Sequence, residues 1–91
     1  MNYIFRVHAL KRMFERAVAV DEVKAVLESG ETIMAYPDDT PYPSRLVLGW
    51  AGRRPLHVVA AYNAAVDETI VVTVYEPDPA EWNPDLRRRA R

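Results

Sequence analysis

The apolar positions of this chain change period at residue 31, which divides it into a helix-forming part and a sheet-forming part. Over Val7–Arg16, the residues Val7, Leu10, Met13 and Phe14 recur at i, i+3, i+6 and i+7, the spacing of a helix that buries one side. His8, Arg12 and Arg16 recur every four residues and form a second stripe on the opposite face, with Lys11 and Glu15 beside it. A second helix is predicted over Val20–Ser29. Val23, Val26 and Leu27 supply its apolar stripe, Asp21 and Glu22 suit its first turn, and Gly30 is placed to cap its end. Ahead of both helices, Asn2–Phe5 is short and apolar enough for a strand or a docking lead-in.

From Glu31 onward the pattern alternates. It predicts strands over Glu31–Tyr36, Ser44–Trp50, Leu56–Tyr62 and Thr69–Glu76, the last rich in β-branched residues. Pro37–Ser44 holds three of the seven prolines and is therefore irregular. Ala80–Leu86 is expected to form one helical turn before an arginine tail. Two helices followed by four strands on short connections predict an α+β fold, with both N-terminal helices packed on one face of a four-stranded antiparallel sheet. Ninety-one residues suit one domain, here 1–86, with 87–91 as a basic C-terminal tail.

Composition narrows the chemistry. The absence of cysteine removes disulfides, thiol nucleophiles and zinc–thiolate sites, and suits a reducing cytoplasm, the expected location. No apolar leader or membrane-length run is legible, so no membrane association is expected. The net charge of −1 hides a dipolar distribution. Residues 1–16 carry four basic groups and one acid (+3), residues 87–91 carry four arginines (+4), and residues 17–86 carry four basic and twelve acidic groups (−8). If the two ends meet, they form one basic patch.

His8 is the strongest candidate for proton transfer, because two guanidiniums lie within helical reach of it and phosphodiester chemistry needs a base beside fixed positive charge. Arg12 and Arg16 suit a phosphate through paired donors, and Arg45 at the start of the second predicted strand is a further phosphate candidate. Alternation places Thr69, Val71, Thr73 and Tyr75 on one side of the last strand, with Tyr75 at its end; Tyr75 and Thr73 are therefore site candidates. His57, within PLHVVAAY, reads first as a hydrogen-bonded residue of the core or sheet face and only second as a site residue. Asp38 and Asp39 read as turn residues, since adjacent acids point apart and no third ligand is spaced for a metal. Three glycines make no phosphate loop, so no cofactor is expected. Tyr42, Trp50 and Trp82 offer rings on which bases stack, and equally good packing roles.

Four blocks in order carry a family resemblance: His8-Ala9-x-x-Arg12-Met13-x-Glu15-Arg16; Tyr36-Pro37-Asp38-Asp39-x-Pro41-Tyr42-Pro43-Ser44; Arg54-Pro55-Leu56-His57-Val58-Val59; and Thr73-Val74-Tyr75-Glu76-Pro77. They resemble a family of short bacterial and archaeal proteins of unknown function, similar to RelE-like and BrnT-like toxins. The resemblance implies a RelE-like or barnase-like fold, RNA as substrate and a cognate antitoxin as partner. It implies His8 and Tyr75 as catalytic residues and Arg12 and Arg16 as phosphate contacts. The chain departs from such toxins in its pI of about 6.1, which weakens non-specific RNA affinity. The expected function is a toxin-type, metal-independent endoribonuclease, with a homodimer among the expected assemblies. The alternative is a non-catalytic protein-interaction module of the same fold.

Overall fold

Strand β1 (Asn2–Phe5) separates the observed architecture from the expected one. In the computed structural model, which describes residues 2–90, β1 pairs in parallel with β5 (Glu68–Tyr75) from Asn2↔Glu68 to Phe5↔Val71. The sheet is therefore five-stranded and mixed, in the order β1-β5-β4-β3-β2, not four-stranded and antiparallel. It remains α+β. Four residues are too few to show a period, and the partner lies more than sixty positions away, so local pattern cannot reveal the pairing.

The other strands, β2 (Glu31–Tyr36), β3 (Ser44–Ala51) and β4 (Arg54–Asn63), form an antiparallel meander with β5. Helices α1 (Val7–Glu15) and α2 (Val20–Ser29) cover one face, α1 against β5 and α2 against β3 and β4. Their buried residues Ala9, Met13, Val23 and Val26 meet Val47, Leu56, Val58, Val71 and Val74 in one core. Gly30 ends α2 with an extended backbone (φ −77°), so its reason is space rather than handedness. A Cβ there would run into the Val26 carbonyl oxygen and lie 2.6 Å from that of Leu48.

Three local expectations change. Helix α1 buries Ala9 and Met13, whereas Val7, Leu10 and Phe14 are 82%, 45% and 88% exposed. The buried line is thus i, i+4, set by how the helix lies on β5 and not by its apolar count. In β5, Ala60 pairs Val71 and Val59 pairs Thr73, so Val72 is an inserted residue. That bulge puts Val71 and Val74 together in the core and turns Thr73 and Tyr75 onto the opposite face, away from Val71. Finally, residues 80–86 form turns and no helix, consistent with Pro84 and with Leu86 at φ 62°.

Helix α1 stops through two nested hydrogen bonds of altered spacing, Val18 N–H to Met13 O at 2.8 Å and Ala17 N–H to Phe14 O at 3.3 Å. Ala17 occupies the left-handed position (φ 53°) usually given to glycine. The Arg54 guanidinium reaches from β4 and donates to the carbonyls of Arg16 (2.7 Å) and Ala17 (3.0 Å), neutralising the negative end of the helix.

Candidate functional site

Beyond Val71, β5 has no neighbouring strand on its outer side, because the chain leaves β1 at Arg6 and turns into α1. The helix lays its polar flank along this bare edge. The result is a groove of about 290 Å³ lined by Arg12 and Arg16 from α1, Thr73, Tyr75 and Glu76 at the end of β5, and Asp78, Glu81 and Trp82 from the segment that follows. Four of the expected site residues, Arg12, Arg16, Thr73 and Tyr75, share this groove. The bulge at Val72 makes that possible by turning Thr73 and Tyr75 outward. Neither guanidinium makes an ion pair or side-chain hydrogen bond among the described residues, so both are free to meet an anion.

Tyr75 is held from behind. Its hydroxyl lies 3.2 Å from His57 Nδ1, its cross-strand partner on β4. His57 Nε2 lies 2.8 Å from the Leu86 carbonyl oxygen, which can only accept, so the neutral ring carries its proton on Nε2. Nδ1 is then the acceptor for the Tyr75 hydroxyl. His57 is fully buried, edge-on to both Tyr75 and Trp82, with ring centroids 5.2 and 4.4 Å away. Burial lowers its pKa and outweighs the opposing bond to Leu86, while nearby Arg89 lowers it further. Burial also raises the Tyr75 phenol, against the pull of Arg89 and with help from Tyr36 and Glu81. At neutral pH the pair is a phenol donating to a neutral imidazole.

The C-terminal segment supplies the other wall by lying over the face of the sheet that the helices leave open. Trp82, 4% exposed, packs on His57, and Arg89 stacks over the indole 5.0 Å from its centroid. Arg87 grips Glu31 of β2 through Nε and Nη2, which holds the Glu31 carboxyl below its usual range. Arg88 pairs with Asp85 at 3.6 Å. Three arginines of the terminal cluster are thus engaged within the segment or with the sheet; Arg91, the last, lies outside the described residues.

His8 and Arg45 stand apart from the groove. His8 lines a neighbouring cavity of about 380 Å³ with Arg6, Val72 and the Asp39–Tyr42 loop. Arg45 donates to Thr32 Oγ1 at 3.1 Å across the β2–β3 pair. A third hollow, about 560 Å³, lies under the proline-rich loop beside Tyr36, Ser44 and Val59. Its Asp39 is a turn former, accepting from Thr40 N–H (2.9 Å) and Ser44 Oγ–H (2.6 Å). Among the described residues, no three His, Asp or Glu side chains converge to hold a metal ion, and no helix is long and apolar enough to cross a membrane.

Glu76, Asp78 and Glu81 are the groove residues that sequence reasoning passed over. Their charge is visible in the sequence as part of the acidic middle, but not their placement in the same groove as Arg12 and Arg16, which depends on where the chain runs after β5. Residues 5–76 match the sequence profile of a family described as "Domain of unknown function (DUF4258)". No curated protein matches the chain. No solved structure matches it either.

Proposed function

The chain belongs to the DUF4258 family, and from the groove beside β5 we propose that it is a toxin-type endoribonuclease that works without a metal ion and is held in check by a cognate antitoxin protein. The observation that carries this reading is the pair of unengaged guanidiniums, Arg12 and Arg16, in one groove with the Tyr75 phenol. Two free guanidiniums bind a phosphodiester and stabilise the charge that develops on it during transesterification. Tyr75, kept protonated by burial and oriented by His57, supplies a proton or positions the phosphate. Thr73 adds a hydroxyl to the same wall. His8, one turn before Arg12, extends the polar stripe to the next cavity, where the flanking nucleotide would lie.

Incubation of the purified protein with long RNA in EDTA tests the reading. The wild type cleaves, while Tyr75→Phe and the Arg12→Ala/Arg16→Ala double variant each lose on the order of 100-fold or more in rate. Absence of cleavage by the wild type overturns it.

A second reading, a non-catalytic interaction module, is favoured by the outward stripe of Val7, Leu10 and Phe14. Lys11 borders that stripe and makes no ion pair among the described residues, so the fitting partner is a protein segment with apolar side chains and a carboxylate for Lys11. Growth arrest on expression of the chain alone separates the two, since a module without activity leaves the host growing.

A further inference from the structure

Transesterification of RNA needs a group to take the 2′-hydroxyl proton, and the groove contains one that the family-matched region does not include. Three carboxylates line it, but two are already occupied. Glu76 lies 3.9 Å from the Arg54 guanidinium, and Asp78 Oδ1 accepts the Ala80 N–H at 2.9 Å. Glu81 makes no side-chain hydrogen bond or ion pair among the described residues and is exposed to the groove it lines.

The backbone of Glu81 is nevertheless fixed on both sides. Its N–H donates to the Asp78 carbonyl (2.9 Å) and its carbonyl accepts the Ala90 N–H (2.9 Å). The next residue, Trp82, is wedged against His57 and bridged to Arg89. The carboxylate lines the same groove as Tyr75, and its charge adds to the burial that raises the phenol. A free carboxylate, a protonated phenol and two free guanidiniums in one groove of about 290 Å³ form a complete set of base, acid and anion donors. His8 lines a different cavity.

We propose that Glu81 is the general base of this groove, a catalytic residue supplied by the C-terminal segment outside residues 5–76. The inference rests on the ribonuclease reading above. The Glu81 carboxylate takes the proton of the ribose 2′-hydroxyl as its oxygen forms a bond to phosphorus. The bond from phosphorus to the 5′-oxygen breaks, and the Tyr75 hydroxyl, turned from His57 Nδ1, gives its proton to that leaving oxygen. The products are a 2′,3′-cyclic phosphate and a free 5′-hydroxyl. Transfer of the proton from Glu81 to the Tyr75 oxygen restores both groups.

Glu81→Gln is the decisive variant, because it keeps the shape and removes both the base and a negative charge from the groove that Arg12 and Arg16 line. Single-turnover cleavage and fluorescence anisotropy of the same labelled RNA are measured on wild type, Glu81→Gln and Glu81→Asp. The expected result is a loss of about 100-fold or more in rate for Glu81→Gln, with loss of the acid limb of the pH–rate profile. RNA binding by this variant is expected to equal or exceed that of the wild type, and Glu81→Asp to recover part of the rate together with the acid limb. A merely structural glutamate would lower rate and binding together, and that outcome overturns the assignment. Cleavage by Glu81→Gln at the wild-type rate with the acid limb intact overturns it too, while leaving the ribonuclease reading standing. A wild type that binds RNA without cleaving it overturns both.

Discussion

The two flanks of helix α1 and its C-cap Arg16 come from one short stretch of chain, Val7–Arg16, and have opposite fates. One flank, Arg12 continuing to Arg16, looks across the bare edge of β5 into a groove with Tyr75 and Glu81. The other, Val7, Leu10 and Phe14, faces water. Between them Ala9 and Met13 are buried on Val71 and Val74. The lesson is that an apolar stripe identifies a helix without identifying its buried side. A small residue such as Ala9 at the line of closest approach lets α1 settle on the sheet, and the larger apolar residues are left outside it.

Neighbouring positions test this contrast most severely. Met13→Ala should destabilise the protein by about 2–5 kcal/mol, because it empties a packed site under the helix. Phe14→Ala, one position on, should shift stability by no more than roughly 0.5 kcal/mol. Urea unfolding of both variants decides it, and equal losses would mean that Phe14 is covered in solution.

The groove flank carries a pH signature that the water-facing flank lacks. Because burial depresses His57, the folded state binds fewer protons than the unfolded state near the ordinary imidazole value of 6.5. The stability contributed by neutral His57 is therefore complete above that value. It is lost progressively as pH falls from there toward the folded-state pKa. Thermal midpoints between pH 7.5 and 5 should fall more steeply for the wild type than for His57→Gln. Parallel curves would show that His57 is not buried as a neutral ring. Glu31 and Asp85, whose carboxyls are held low by Arg87 and by hydrogen bonding and nearby arginines respectively, act in a lower window and do not confuse the comparison.

The smallest effect separates the flanks by charge. Arg12→Ala should lower the salt dependence of RNA binding by about one unit of log K per log salt. Lys11→Ala, on the apolar side, should leave that slope nearly unchanged. Titrations at three salt concentrations suffice, and equal slopes for the two variants would move the RNA off the groove.

Much of this protein is legible without coordinates. The bounds of α2 and β2, the meander and the stripe of His8, Arg12 and Arg16 all follow from periods of 3.6 and 2, which are properties of single elements. The candidates Arg12, Arg16, Thr73 and Tyr75 converge in one groove for a reason the period does not contain. Strict alternation puts Thr73 on the side of Val71; the inserted Val72 puts it on the other, beside Tyr75 and the row of His57. Arg45 and His8 show the converse, since residues of suitable chemistry were placed elsewhere by register and by the way α1 rides on β5.

The amino-acid sequence by itself determined helices α1 and α2 and the four strands from Glu31 to Tyr75, the absence of thiol chemistry and the supply of cations on α1, because each depends on residue type and short-range spacing. Only the tertiary structure decided that β1 pairs with β5 in parallel, that α1 turns Phe14 to water, and that the segment after Pro77 brings Glu81 into the groove lined by Arg12 and Arg16. Those are contacts between residues far apart in the chain, settled by a packing in which, among the described residues, no buried side-chain nitrogen or oxygen lacks a partner, and no local pattern encodes that choice.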